Sequence, residues 1–419
     1  MKPKIFFIPR YIAQLKHFER LIPRLRDAYD IGFLFIGGDG IRLREVVDYC
    51  KEKNHELFVI NDGFIKNQKI RIPFVTPLWE RYAHGVACRK FLTRAKPAKI
   101  IATKAAPPQD TIIKEANRSG VQTIILQWSG SAPRRAFLVN KRKPETWFRR
   151  LYHATLSIIS RVLDFFDFFR AEARFGLTPA VPQKIGVFDE EEAAEGLGKG
   201  YDRRSITVVG SIDFQLTHEI KETIESNPAM KKALLEKYRL HDKKTKILVI
   251  LFRFYRTPPE EEKMTVPEHV AHYYDIFKTM REVFPSEEAD IFLKLHPSES
   301  SEVKANIYSS YEKDFEVKLF RGEAKTDELV CLADLYIGEP QTSVNYMLLG
   351  SGIPALFLNL SPRKSLNKLA QYFGIKHIVE TKEDFKNTLF SFKNGTLPKQ
   401  YDNSDVDMRS VDNVVALIN

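Results

Sequence analysis

The sequence predicts an α/β protein of two domains, each built on a parallel sheet with helices on its faces, arranged around a cleft. Three observations carry that prediction. Apolar runs of strand length alternate with amphipathic stretches of helix length from Lys4 onward, the pattern of repeated strand-helix-strand units. At 419 residues the chain exceeds what one ordinary core serves, so two domains of about 200 residues are expected. The region from Ala289 to Leu360 also holds a complete crossover: a strand at Leu332–Gly338, a turn at Glu339–Ser343, a helix at Val344–Leu349 and a strand in IPALFLNL.

Composition narrows the class. With 43% hydrophobic and 28% charged residues the chain can fill packed cores and does not read as disordered. Cys50, Cys88 and Cys331 are far apart and odd in number, which implies neither a disulfide framework nor a zinc site and points to a reducing compartment. The opening MKPKIFFIPR has too short an apolar core for a signal peptide, and no apolar run reaches the roughly eighteen residues of a membrane span. The expected location is the cytoplasm.

The first domain is expected over residues 1–210. Lys4–Pro9 is a buried-type strand, followed by a helical pattern with Leu15, Phe18, Leu21, Ile22 and Leu25 on its apolar side. Strands follow at Ile31–Gly37, Glu56–Ile60, Lys99–Thr103 and Gln122–Gln127. Gly37, Gly38, Asp39 and Gly40 form a turn at a strand end that is neither GxGxxG nor a Walker sequence, which argues against a nicotinamide or flavin enzyme. Loops at Lys104–Asp110 and Gln127–Ser131 lie at the carboxyl ends of their strands, on the cleft side. Asp39, Asp110 and His17, at strand ends or helix starts, are the candidate catalytic bases.

Residues 134–176 differ from their surroundings. Ten basic residues against four acidic ones give +6 of the net +11. Trp147, Phe148, Leu151, Ile158, Val162, Phe165 and Phe169 recur at helical spacing among Arg142, Lys143, Arg149 and Arg150. Such a basic, aromatic amphipathic helix suits the surface of an anionic bilayer, which would make the protein peripheral on the cytoplasmic membrane face. Packing on the first domain, or against a second subunit, are the alternatives. Nucleic acid is not expected, because the charge accompanies an apolar helical face rather than solvent-exposed aromatics.

Gln183–Phe188 and Ser205–Gly210 close the first domain as strands, with a capped helix between them. The polar residues 211–245 read as a linker, and Lys246–Phe252 opens a second domain over 246–400. Arg253 and Arg256 leave that strand at its carboxyl end, where guanidinium groups can pair with a diphosphate. The strand Ala289–Leu295 delivers His296, Pro297 and Ser298 to the same edge. Glu339 follows the next strand, where a carboxylate can accept two hydrogen bonds from a ribose diol. Thr342 and Ser343 stand at a helix start, where hydroxyls and free N–H groups bind an anion. In open α/β sheets ligands collect at this carboxyl edge. Asp405, Val406 and Asp407 match a DxD metal motif but sit in a polar tail, and no metal site is expected.

KLHP followed by IGEPQTSVNYMLLGSGIPALFLN resembles the carboxy-terminal domain of GT-B glycosyltransferases, in particular bacterial capsule, sialyl- and polysialyl-transferases and CDP-glycerol glycerophosphotransferases. The resemblance implies two Rossmann-like domains with parallel sheets facing an interdomain cleft, and a tail over 401–419 that returns to the first domain. It implies sugar transfer, without metal or cofactor, from a CMP-, CDP- or UDP-linked donor to a glycan or lipid-linked acceptor. Donor contacts then fall on Lys294, His296, Pro297, Ser298, Glu339, Thr342 and Ser343, with Gly210 and Ser211 matching a segment that leads into the hinge. His296 would donate to the leaving phosphate. Glycerol phosphate transfer from CDP-glycerol is the near alternative, and a degenerate membrane-surface protein the non-catalytic one. Sugar 2-epimerases carry Ser-Gly-Gly where this chain has Glu339, Pro340 and Gln341, which argues against that activity.

Overall fold

The structure, a computed structural model, describes residues 2–37, 41–61, 75–105, 109–127, 180–198, 200–250, 266–295, 308–321, 324–340, 342–360, 370, 373–398, 400 and 409–419. The chain forms two units. The first takes the described residues up to 127, those from 180 to 209, and Val411–Asn419; the second takes those from 210 to 410.

In the first unit the chain runs β1 (Lys4–Ile8), α1 (Ile12–Glu19), α2 (Ile22–Leu25), β2 (Asp30–Gly37), α3 (Ile41–Glu52), β3 (Glu56–Asn61), α4 (Val75–Ala95), β4 (Lys99–Ala102), α5 (Gln109–Arg118), β5 (Gln122–Leu126), β6 (Lys184–Val187), α6 (Glu190–Gly198) and β7 (Ile206–Val208). All seven strands are parallel, in the order β3-β2-β1-β4-β5-β6-β7. Helices on both faces explain why β1 is apolar at consecutive positions rather than alternating with polar ones. Phe6 packs edge-on against Phe58 and Phe91 on one face, and Phe7 stacks on Phe18 at 4.7 Å on the other. The helical pattern after β1 divides into two helices because Pro23, in the first turn of α2, has no N–H to continue α1.

The second unit opens with a departure from the sequence reading. Residues 211–245, expected as a linker, instead form α7 (Ile212–Ser226) and α8 (Pro228–Lys237) before β8 (Thr245–Ile250). Ile224, Leu234, Leu235, Tyr238 and Leu240 are buried against Leu248, Val330 and Phe357, so the polar residues are only the outer faces of two amphipathic helices. The chain continues α9 (Val266–Val283), β9 (Ala289–Lys294), α10 (Ser309–Phe315), β10 (Lys318–Phe320), α11 (Thr326–Leu332), β11 (Leu335–Gly338), α12 (Thr342–Ser351), β12 (Ala355–Leu358), β13 (Ile378–Val379) and α13 (Lys382–Lys393). Its six parallel strands lie in the order β10-β9-β8-β11-β12-β13, the arrangement the first unit shows around β1 and β4. The last helix, α14 (Ser410–Ile418), supplies its residues from Val411 onward to the first unit.

Candidate nucleotide-binding site

A doubly wound sheet leaves a crevice where its strand order reverses, because the connections on either side pass to opposite faces. In the second unit that reversal lies between β8 and β11, which pair from Ile247↔Leu335 to Ile250↔Gly338. The helix that follows β8, α9, buries Tyr273, Ile276 and Phe277 with Val249 and Ile337 on one face. The helix that follows β11, α12, buries Val344 and Leu348 with Leu248, Ile250 and Tyr336 on the other.

Glu339 stands directly at this point, one residue beyond β11 and only 4% exposed. The Tyr273 hydroxyl donates to its Oε1 at 3.0 Å, and the Tyr336 hydroxyl donates to its main-chain carbonyl at 3.4 Å. Gly338 is required just before it: a Cβ there would lie 2.5 Å from the Ile250 carbonyl oxygen and 2.4 Å from the Tyr336 hydroxyl. Burial, and after it the Glu339 charge, pushes the Tyr336 hydroxyl well above its usual pKa, which keeps it protonated as a donor. Thr342 and Ser343 occupy the first turn of α12, whose N–H groups carry the positive end of the helix dipole, with no acidic residue in that turn.

The other sequence candidates at this edge divide. Lys294, at the end of β9, donates from its ammonium to the carbonyls of Leu295, at 3.3 Å, and of Arg321. Arg253, Arg256, His296, Pro297 and Ser298 lie outside the described residues, although β8 and β9 end at this edge, at Ile250 and Lys294. Gly210 has φ +77°, a conformation that favours glycine, and begins the second unit. Ser211 is buried, makes no capping bond to α7, and accepts a hydrogen bond at its carbonyl from the Ser410 hydroxyl at 2.7 Å. Gly210 and Ser211 therefore mark where the chain enters the second unit, and the Ser410 bond ties that entry to the residue at which the chain leaves it.

In the first unit the order reverses between β1 and β4, and the crevice carries a network of neutral groups. Gln109 donates from Nε2 to the Ile8 carbonyl at 2.6 Å, the Thr103 hydroxyl lies 3.3 Å from Gln109 Oε1 and 3.4 Å from Gln14 Oε1, and the Arg10 N–H donates to Gln14 at 2.8 Å. Asp110 stands beside Gln109 in the first turn of α5 and accepts from the Thr111 N–H at 2.9 Å. His17 falls in the last turn of α1, because the helix runs back from the strand's carboxyl end; it is not brought to this crevice. Asp39 lies outside the described residues, as do Arg142, Lys143, Trp147, Arg149, Arg150, Phe165 and Phe169. Among the described residues no helix is long and apolar enough to cross a membrane. Sequence reasoning missed Tyr273, Gln14 and Gln109, since a lone tyrosine or glutamine in an amphipathic helix carries no signal of what it meets across the sheet.

No protein-family model and no curated protein sequence matches the chain. Solved structures do. The UDP-GlcNAc 2-epimerase of Neisseria meningitidis, bound to UDP-GlcNAc, superposes with a TM-score of 0.58 at 12% identity over 100% of this chain and 99% of that one. That of Methanocaldococcus jannaschii gives 0.59 at 13%, also over 100% and 99%. The S. aureus protein MnaA, solved with UDP, gives 0.56 at 12% over 100% and 96%. At such identity the likeness speaks for architecture alone: the described residues have the fold of these enzymes, two Rossmann-like parallel-sheet domains of the GT-B type.

Proposed function

We propose that this protein binds the nucleotide of an activated sugar at the carboxyl edge of its second sheet and transfers the sugar to a glycan or lipid-linked acceptor. The observation that carries the reading is Glu339, a buried carboxylate fixed at the strand-order reversal with a helix start three residues further on. In this reading Glu339 accepts the ribose hydroxyls, and the first turn of α12, with Thr342 and Ser343, takes the phosphates beside Arg253 and Arg256. His296 donates to the leaving phosphate. Together with the helix dipole it offsets the charge that grows on the departing nucleotide, so the transfer needs no metal ion and no bound cofactor. Asp39 or Asp110 supplies the base for the acceptor hydroxyl, and the basic amphipathic segment holds the enzyme at an anionic membrane. The finer kinship, with capsule and polysialyl-transferases or glycerophosphotransferases, rests on the HP and Thr-Ser motifs. Because fold neighbours were solved with UDP-GlcNAc or UDP, UDP-linked sugars are the first donors to test, followed by CMP- and CDP-linked compounds.

A thermal-shift titration with UDP, CMP, CDP, GDP and ADP is expected to stabilise the protein selectively, by about 2.7 kcal/mol at a hundred times the dissociation constant. Glu339→Ala and His296→Ala are expected to lose the shift. A folded protein that no nucleotide stabilises overturns the reading. With the preferred nucleotide sugar, release of nucleotide only when an acceptor is present marks transfer, whereas a 2-epimer formed without acceptor marks epimerisation.

A further inference from the structure

Tyr273 and Glu339 are 66 residues apart in sequence, yet their side chains meet in the core at the strand-order reversal, where Tyr273 is 2% and Glu339 4% exposed. One tyrosine holds the carboxylate and another, Tyr336, holds the main chain of the same residue, while Gly338 lets the backbone close on Ile250. We infer that Tyr273 is a positioning residue that sets the Glu339 carboxylate to read both hydroxyls of a ribose, so that the site selects ribonucleotides over 2′-deoxyribonucleotides. The inference rests on the nucleotide reading above and adds to it the residue that sets its sugar specificity.

An ionised carboxylate has about four acceptor positions, and the Tyr273 hydroxyl takes one of them on Oε1. A hydrogen bond to a charged acceptor away from water is strong and directional, so it selects one rotamer of the side chain. A carboxylate ordered before the ligand arrives loses no conformational freedom when it binds. A vicinal diol then offers one O–H to each carboxylate oxygen. A 2′-deoxyribose removes one of the two donors, and a buried polar site matched to a hydroxyl discriminates against the analogue that lacks it. A tyrosine that only stapled α9 to the end of β11 would support every nucleotide equally, and this difference separates the two roles.

Tyr273→Phe keeps the ring in its place and removes only the hydroxyl. Calorimetric titration of the full chain with UDP and 2′-deoxy-UDP, and with CDP and 2′-deoxy-CDP in parallel, reads the effect. Wild type is expected to favour the ribose form by about tenfold or more. In Tyr273→Phe the ribose form is expected to weaken by about tenfold while the deoxy form changes less than about twofold, so the ratio collapses. Glu339→Gln is expected to collapse it as well. Should Tyr273→Phe unfold, Tyr273→3-fluorotyrosine preserves packing, alters the acidity of the hydroxyl, and is expected to change affinity for the ribose form alone. A wild-type ratio near one, or a Tyr273 variant that weakens both forms alike, overturns the inference while nucleotide binding stands. Absence of any nucleotide binding to wild type removes the underlying reading instead.

Discussion

Asp290 and Glu339 are both buried carboxylates of the second sheet, at opposite ends of their strands and held by different partners. Asp290 opens β9 at the amino edge and is fully claimed by protein groups: the His241 backbone N–H, the His241 ring at 3.0 Å, and the Lys318 ammonium at 2.9 Å. Burial works against its charge, but the His241 N–H and then Lys318 more than offset it, so its pKa lies below the usual carboxylate range. A depressed pKa means stability that is present above the unfolded value and is lost as pH falls through the folded one. Asp290→Asn is therefore expected to destabilise the protein by about 3 kcal/mol at neutral pH. Urea unfolding should show that difference shrinking below about pH 4; a gap that stays constant on acidification would contradict the assignment. Glu339 sits at the carboxyl edge instead, placed by two tyrosine hydroxyls.

Among elements, α12 joins the proposed phosphate position to the rest of the second unit, and its far end is set by one close approach. At Gly350 a Cβ would lie 2.3 Å from the Phe214 carbonyl oxygen on α7, and the His218 ring nitrogen Nδ1 is 3.3 Å from the Gly350 carbonyl. Only a residue without a side chain allows the two helices to touch backbone to backbone. Gly350→Ala is expected to cost about 2 kcal/mol through overpacking. Gly352→Ala meets open space and pays only for its φ of +65°, about 1 kcal/mol. Thermal melts of the two variants check that order, and Gly350→Ala should also weaken any nucleotide that the start of α12 holds. The sequence marks Gly350 as a helix end near a crossover strand; that Phe214, more than a hundred residues earlier, lies against it is visible only in the packed structure.

At the scale of the molecule, the first unit is completed by the far end of the chain. Val411, Val414, Leu417 and Ile418 are buried, and Leu417 lies so near β6 that a Cβ at Gly186 would come within 2.8 Å of it. Lys184 donates to the Leu417 carbonyl at 2.9 Å, and Lys99 donates to the carbonyls of Ile418 and, at 2.9 Å, Asn419. Two ammonium groups thus meet the negative end of α14, a favourable match to its dipole. Burial first, and the neighbouring Lys99 second, lower the Lys184 pKa. Leu417→Asp places an unpaired carboxylate in this contact and is expected to cost about 4 kcal/mol. Circular dichroism melts of the full chain should register the loss, and an unchanged melt would mean that the helix contributes little to the first unit.

Local structure was legible in the chain: parallel-type strands from Lys4, Ile31, Lys99, Gln122, Lys246 and Ala289, the helices between them, and a glutamate at a strand end just before a helix start; the expected strand Leu332–Gly338 is shorter, because Leu332 closes α11 and β11 begins at Leu335. Those features depend on residues within a turn or two of one another, and apolar periodicity reports such neighbours directly. Long-range packing alone sets which strands adjoin, that most of 211–245 folds as two helices on the second unit, and that Tyr273 meets Glu339 where the order of strands reverses. Those outcomes come from pairing between distant segments, where burial of one apolar face constrains the partner's size and polarity but not its place in the chain.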